Sequence, residues 1–227
     1  MQSPRRGLMA SLRTAAASST AAVAVLLGVA ASAAPGVPRV VDVPTRPAFV
    51  TPPKGAEQAA RIGQVLMPAT LLRTQKPGRL QVLLADGRGF RLGGDALLRL
   101  GIADLDLQSG QIIAWIPPGR TGVPPLRVRT RVATASIAGT TVFIEATPTE
   151  LKFFSWEGRV LVEADNGQRF TLTSGEQVTF VRGAWQAPLR LSPAEAATRR
   201  KASILLNGFE APMETLTVIE RELGLTP

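Results

Sequence analysis

The stretch "LLADGRGFRLGGDALLRL" at residues 83–100 has a pattern that is repeated in "VEADNGQRFTLTSGEQVTF" at residues 162–180. Each copy contains Ala-Asp, a glycine turn, a short run around a Phe, a second turn with Gly and another apolar run. Asp-Gly and Asn-Gly pairs are typical of tight hairpins, because these residues tolerate the positive φ that the turn requires. The repetition therefore predicts two strand–turn–strand units, with Asp86 and Asp165 as turn residues and not as a catalytic pair.

Residues 59–183 contain about ten short apolar runs that are rich in Val, Ile, Phe and Thr and are separated by Gly, Pro or Asn. Several runs alternate with period two, and no helical pattern lies between them, which predicts a mainly β fold. We expect an antiparallel β-sandwich, a barrel or a solenoid-like body. Gly139 is expected to permit a close backbone approach. The predicted structural turn residues are Asp86, Gly87, Gly139, Asn166, Gly167 and Gly175.

The tail, residues 184–227, has a helical pattern instead. Ser192, Pro193 and Glu195 form a capping-box pattern that starts one helix, and Gly208 is expected to follow its end. A second helix is predicted to begin near Pro212 and to stop at Gly224, because glycine is common just beyond the end of a helix.

The N-terminus has the order of a secretory signal peptide. A basic start is followed by an apolar run over residues 21–31 and by Ala31-Ser32-Ala33, which fits a cleavage site. We predict a signal peptide over residues 1–33 and a periplasmic or extracellular location, with an uncleaved inner-membrane signal anchor as the alternative. Residues 34–58 are rich in Pro and are predicted to be an extended, mobile linker.

The composition excludes several kinds of site. The chain has no Cys and no His, which excludes disulfides, Cys/His zinc sites, a Cys nucleophile and a Ser-His-Asp triad. We expect no cofactor and no metal. The net charge of +9 favours an anionic partner. Nucleic acid is not expected as the partner, because export and the low aromatic content argue against it, and membrane contact is expected only if the signal segment is uncleaved.

Several motifs in a shared order resemble the FecR-type periplasmic domain over roughly residues 61–181. The matching positions are Leu72-Arg73-Thr74, Gly78, Asp86-Gly87, Arg129-Thr130, Gly139-Thr140, Gly158 and Gly175-Glu176. Signalling members of that family carry a cytoplasmic anti-sigma segment before a membrane helix, and only a short basic stretch precedes the apolar run here. The resemblance therefore implies an exported β-rich domain of this type, without the anti-sigma segment of the complete regulator.

The run "LRVRTRV" at residues 126–132 alternates arginines with mostly apolar residues. On a strand, Arg127, Arg129 and Arg131 would lie on one face about 6.6 Å apart, where they could bind anionic groups bidentately. Alternatively, they form a solvated face with Glu145 or Glu163 as partners. We call these three residues the Arg stripe.

Two functions follow from these patterns. The first is a non-catalytic exported module that binds an envelope protein or an acidic polysaccharide, in envelope signalling or assembly. The second is an enzyme that acts on envelope glycan with the carboxylates of the segment 157–165, which contains Glu157, Glu163 and Asp165. Glycoside hydrolysis needs two carboxylates at a fixed separation of about 5 to 9 Å. The sequence does not give that separation.

Overall fold

The computed structural model describes residues 36–120 and 122–225. This part of the chain is mainly β, with sixteen strands and two short helices. The strands are β1 (Arg39–Thr45), β2 (Ala48–Thr51), β3 (Gln58–Ala59), β4 (Leu71–Thr74), β5 (Arg79–Leu83), β6 (Gly89–Leu100), β7 (Asp104–Trp115), β8 (Leu126–Arg129), β9 (Ala133–Ile137), β10 (Thr141–Ala146), β11 (Glu150–Glu157), β12 (Val160–Ala164), β13 (Arg169–Leu172), β14 (Glu176–Val181), β15 (Ala184–Trp185) and β16 (Leu189–Arg190). The helices are α1 (Pro193–Ala202) and α2 (Leu216–Glu222).

The sheet is built around the long hairpin of β6 and β7, which bends in the middle. The pairing of the two strands is interrupted by a bulge between Gly93 and Leu97, where Gly94 has a φ of +62°. On the opposite strand, a Cβ at Gly110 would clash with the backbone of Ala96. A bulge adds residues to one strand of a pair and so redirects both strands. The bend therefore sends the two halves of the hairpin into different layers.

We name the two layers by what lies on their outer faces. The covered layer contains residues 89–93 and 110–115 of the hairpin together with β1, β5, β10, β11, β14, β15 and β16. The open layer contains residues 97–100 and 104–109 with β2, β3, β4, β8, β9, β12 and β13. All pairs are antiparallel except β7 with β8. The sheet stays open and is not a closed barrel, because its path of hydrogen-bonded strands ends at β13 and β15.

One apolar core lies between the layers and draws side chains from both. Alternation along the strands builds it, since successive side chains of a strand point to opposite faces. In β8, for example, Leu126 and Val128 are buried while Arg127 and Arg129 are exposed. The predicted fold class, mainly β and antiparallel with C-terminal helices, is confirmed, and among its three architectures the two packed layers correspond to the sandwich.

The segment predicted to be a mobile linker differs from that prediction. Residues 39–51 form β1 and β2, which pair with β5 and β4, and Val40 and Val50 are buried in the core. Pro44 falls in an irregular part of the β1 register and Pro47 lies between the two strands. Neither proline therefore removes a hydrogen bond from a regular ladder. The predicted signal peptide, residues 1–33, lies outside the described residues.

The repeated frame is realised in two ways. In the first copy, Asp86 and Gly87 lie in the turn between β5 and β6, and the second glycine site is the bulge within β6. In the second copy, Asn166 and Gly167 lie in the turn between β12 and β13, and Gly175 lies in a turn that separates β13 from β14. The first copy thus continues as one bent strand, while the second crosses from the open layer to the covered layer.

Gly139 has a φ of +72°. From the sequence, the glycine at this position was explained by a close backbone approach, and that explanation was wrong. A Cβ built at this position meets no atom within 4 Å. A close backbone approach therefore does not require glycine here. The left-handed conformation does, because side chains with a Cβ rarely adopt it.

The tail, from here on residues 192–223, lies over the outer face of the covered layer. A second apolar cluster fills the space between them, with the buried members Ile113, Trp115, Phe154, Trp156, Leu205, Leu206, Met213 and Ile219. Neither described helix combines the length and the apolarity needed to cross a bilayer.

Helix α1 begins with the predicted capping box. The hydroxyl of Ser192 accepts from the amide of Glu195, and the carboxylate of Glu195 accepts from the amide of Ser192 at 2.8 Å. The helix ends before the predicted Gly208. The side-chain amide of Asn207 donates to three carbonyl groups at the end of the helix, at 2.9 to 3.3 Å. Those carbonyls therefore bond to a side chain instead of to a further helical turn.

Candidate binding surfaces

Two members of the Arg stripe lie on the outer face of the open layer, and the third does not share their strand: β8 ends at Arg129, and Arg131 lies in the turn before β9. Arg127 and Arg129 are exposed on β8, and Arg131 is exposed just after it. Arg129 Nη1 is 3.5 Å from Asp104 Oδ2, and Arg131 Nη1 donates to the carbonyl of Thr147 at 2.5 Å. Within the described residues, Arg127 forms no ion pair. The stripe is therefore accessible along its whole length, with one weak ion pair.

The partners expected for the stripe lie elsewhere. Glu145 accepts from Gln111 at 2.6 Å and is 3.5 Å from Lys152, on the outer face of the covered layer. Glu163 forms its ion pair with Arg169 at 3.1 Å. That expectation was wrong because the parallel pairing of β7 with β8, which supplies Asp104, was not foreseen.

The carboxylates proposed for catalysis do not share an environment. Glu157 is buried at the end of β11, Glu163 is in an exposed ion pair, and Asp165 is exposed at the turn before β13. None of the three lines the large cavity described below. In the described part of the chain, no cluster of three or more acidic residues is placed to bind a metal ion.

The tail is bound to the covered layer by two arginines, the half-buried Arg79 and the buried Arg91. Arg79 Nη1 donates to two carbonyls of the tail at 2.8 and 2.9 Å. Arg91, which is 3% exposed, donates to the carbonyls of Leu205 and Ala211 at 2.9 and 3.0 Å and packs its guanidinium 4.1 Å from the ring centre of Phe209. Burial lowers the pKa of Arg91 to about 10, with the charges of nearby carboxylates opposing the shift. The side chain is thus still a cation at neutral pH.

Two further polar side chains complete this contact. Asp42 Oδ2 accepts from the amides of Glu210 and Ala211 at 2.6 and 2.9 Å. Gln81 donates to the carbonyl of Pro212 at 3.0 Å and accepts from Arg91. Because buried backbone groups need hydrogen-bond partners, these residues fix a tail segment that has no regular secondary structure.

Helix α2 is positioned beside a buried acid. Glu157 Oε1 is 2.9 Å from the hydroxyl of Thr141, which is 2.9 Å from the hydroxyl of Thr215. Burial raises the pKa of Glu157 to about 7; the Thr141 hydrogen bond opposes this shift, and the negative charge of Glu222 adds to it. Glu222 in turn accepts from the amide of Gly158 at 3.0 Å. This end of the tail therefore lies beside a buried carboxyl group whose pKa is close to neutrality.

A cavity of about 640 Å³ lies between α1 and the covered layer. Most of its lining surface is apolar, and charged groups come from Glu195 and Arg199 of α1 and from Glu145 and Lys152 of the sheet. Sequence reasoning missed this site, since its walls come from parts of the chain that are distant in sequence.

The three Trp residues do not form an exposed stacking surface. Trp115 and Trp156 are each 1% exposed. Trp185 packs against Phe153, Phe170 and Phe180, with ring centres 5.1 to 6.0 Å apart.

Residues 70–161 match the family model described as FecR protein. The matched region begins just before β4 and contains the bent hairpin, β8 and the Arg stripe. Residues 70–161 are thus similar to a FecR domain. This matched region lies within the β body that the sequence motifs delimit, and the tail lies outside the matched residues.

Comparison of the fold finds two crystal structures from Parabacteroides distasonis ATCC 8503, each described as a candidate anti-sigma factor. One is 20% identical, with a TM-score of 0.43, over 49% of this chain and 55% of that chain. The other is 19% identical, with a TM-score of 0.46, over 53% of this chain and 59% of that chain. The alignments span little more than half of each of those chains. No curated protein matches the sequence.

Proposed function

We propose that this protein is a non-catalytic, exported FecR-domain module of envelope signalling or assembly, and that it binds an anionic partner on the outer face of the open layer. The partner is an envelope protein with acidic groups or an acidic polysaccharide. The observation that carries the proposal is the accessible Arg stripe inside the FecR domain, on the one layer whose outer face the tail does not cover.

The geometry of the stripe suits an extended partner. Arg127 and Arg129 alternate on β8 and are therefore about 6.6 Å apart, and Arg131 follows in the next turn. A guanidinium can form two parallel hydrogen bonds with one carboxylate. A single exposed ion pair contributes only about 0.2 to 1 kcal/mol. Useful affinity therefore requires several arginines to bind several acidic groups of the same partner.

The outer face also contains acidic groups that limit what can bind. Asp104 and Asp106 lie on β7 at the register positions of Arg127 and Arg129. A partner must place its acidic groups over β8 and away from β7, which favours a specific arrangement of charges over any polyanion.

The test is a triple variant in which Arg127, Arg129 and Arg131 are changed to Gln. Binding to polygalacturonate, an acidic polysaccharide, is measured by calorimetry at two salt concentrations. We expect the triple variant to bind at least tenfold more weakly and the difference to shrink at high salt, where exposed charges are screened. A matched control changes the exposed Arg61, Arg159 and Arg182 to Gln, which removes the same charge elsewhere.

A protein partner is distinguished by a photo-crosslinking residue at Thr134, which is the register neighbour of Arg129 on β9. An adduct in cells that is lost in the stripe variant, and kept in the control variant, supports a protein partner. If the folded stripe variant behaves like the control in both assays, the outer face of the open layer is not the binding surface.

A further inference from the structure

We infer that the cavity between α1 and the covered layer is a binding site for a small amphipathic carboxylic acid. The acid group would bind Arg199, and the apolar body would pack along Phe143, Trp156 and Leu191. This site is separate from the Arg stripe and does not depend on the proposed function.

The size and the lining of the cavity fit a small molecule. Its volume of about 640 Å³ lies inside the range of about 300 to 1,000 Å³ that is usual for such sites. Phe143, Leu191 and Ile204 supply apolar walls, and Ile204 is 44% exposed at the rim. This lining resembles that of known ligand sites, which have mostly apolar walls and a few polar groups that orient the ligand.

Two residues that line the cavity each have a buried donor atom without an acceptor in the described part of the chain. Arg199 Nη1 and Trp156 Nε1 are both buried, and neither forms a hydrogen bond with the described residues. Trp156 as a whole is 1% exposed. A buried donor without an acceptor destabilises a folded protein, so a ligand that supplies an acceptor would be favoured at this place.

The acidic residues of the cavity are already engaged. Glu145 accepts from Gln111 and lies near Lys152, and Glu195 belongs to the cap of α1. Arg199 forms no ion pair within the described residues, and burial lowers its pKa, with the charge of Glu145 opposing the shift. The lining has two acidic and two basic residues, so its charges balance. The unmatched groups are hydrogen-bond donors, one of them on the guanidinium of Arg199, and a carboxylate oxygen can accept from such donors.

Arg199 is also held in position. Its Nη2 donates to Gln177 Oε1 at 3.0 Å, and its guanidinium lies 4.5 Å from the ring centre of Phe154. A guanidinium that is fixed on one side by an amide and an aromatic ring loses little conformational freedom when its other nitrogen binds a carboxylate.

The test uses decanoate as the probe and the full chain after removal of any cleaved segment. Calorimetry is expected to detect binding of decanoate and at least tenfold weaker binding of decanol, which has the same body without the charge. Arg199→Gln should weaken decanoate binding at least tenfold, while Arg127→Gln, an equal loss of charge on the open layer, should leave it unchanged.

A second variant separates binding from folding. Ala202→Phe keeps Arg199 and places a ring into the cavity, so it should abolish decanoate binding in a chain that retains its circular dichroism spectrum. In the wild type, decanoate should slow amide hydrogen exchange over residues 194–204 and leave residues 126–132 unchanged. The inference is overturned if decanoate does not bind, if it slows exchange elsewhere only, or if Arg199→Gln or Ala202→Phe binds it as tightly as the wild type.

Discussion

Arg91 and Asp42 bind the same tail residue from two sides: Arg91 Nη2 donates to the carbonyl of Ala211 at 3.0 Å, and Asp42 Oδ2 accepts from its amide at 2.9 Å. Asp42 lies on β1 and Arg91 on β6, so the first strand and the central hairpin both fix the tail. The contact is polar and buried, and removing one partner leaves backbone groups without hydrogen bonds.

Arg91→Met is expected to release this part of the tail. Met has a similar length and cannot donate, so the carbonyls of Leu205 and Ala211 lose their partner. We expect the free energy of unfolding to fall by about 2 to 4 kcal/mol and amide exchange over residues 204–214 to accelerate. Arg61→Met, at an exposed position, is the control. Unchanged exchange in the Arg91 variant would show that the apolar cluster alone holds the tail.

Glu157 is expected to make stability depend on pH near neutrality. Its ordinary pKa of 4.5 is raised to about 7 in the folded protein, so the folded state binds more protons than the unfolded state between these values. The stabilisation that Glu157 adds to the free energy of unfolding is therefore fully present below pH 4.5 and is lost as the pH rises through 7. The loss is roughly 3 kcal/mol at most.

Glu157→Gln tests this, because Gln keeps the shape and does not titrate. Denaturant unfolding at pH 5, 6, 7 and 8 should show that the free energy of unfolding of the wild type falls with pH, and that it falls much less in the variant. The control Arg131→Gln should show the same fall as the wild type. If the free energies of unfolding of the wild type and of Glu157→Gln change in parallel across this range, Glu157 does not titrate there.

Gly110 and Gly139 allow the cost of a positive φ to be separated from the cost of a clash. Their φ values are similar, +80° and +72°, but a Cβ at Gly110 meets the backbone of Ala96 while one at Gly139 meets open space. Gly139→Ala should lower the free energy of unfolding by about 1 kcal/mol. Gly110→Ala should lower it by about 1 to 3 kcal/mol more. Thermal unfolding measures both, and equal losses would contradict the role given to Gly110 in the bend.

Export is expected to leave a new N-terminus near Ala34. The basic start, the apolar run and Ala31-Ser32-Ala33 motivate this prediction. Intact mass measurement of the protein from the cell envelope would check it. A chain that retains Met1 in the membrane fraction would indicate an uncleaved anchor.

The strands of the body could be predicted because most of them alternate between core and solvent. The first half of β7 was not predicted, although Leu105 and Leu107, which alternate with Asp104 and Asp106, are buried. Strands β1 and β2 were missed because prolines were taken to exclude a sheet. Proline excludes only the positions where an N–H must donate.

The tail contact and the cavity could not be predicted in the same way. Arg91 binds a carbonyl that lies 114 residues away in the chain, and the cavity brings Phe143 and Trp156 next to Arg199. Such sites depend on which elements meet in space, and periodicity within one element carries no information about its distant neighbours. The exposure of Arg127 and Arg129 could be predicted because both lie on a single strand with an alternating pattern.

The order of synthesis gives the covering tail a further consequence. Every strand of the sheet leaves the ribosome before residues 203–223 do, so Ile113, Trp115, Phe154 and Trp156 initially have no cover. A nascent chain with a complete sheet therefore still presents a contiguous apolar surface, the kind of surface that drives aggregation of folding intermediates. A chain that lacks residues 203–223 would therefore keep the core between the layers and expose an apolar surface on the covered layer.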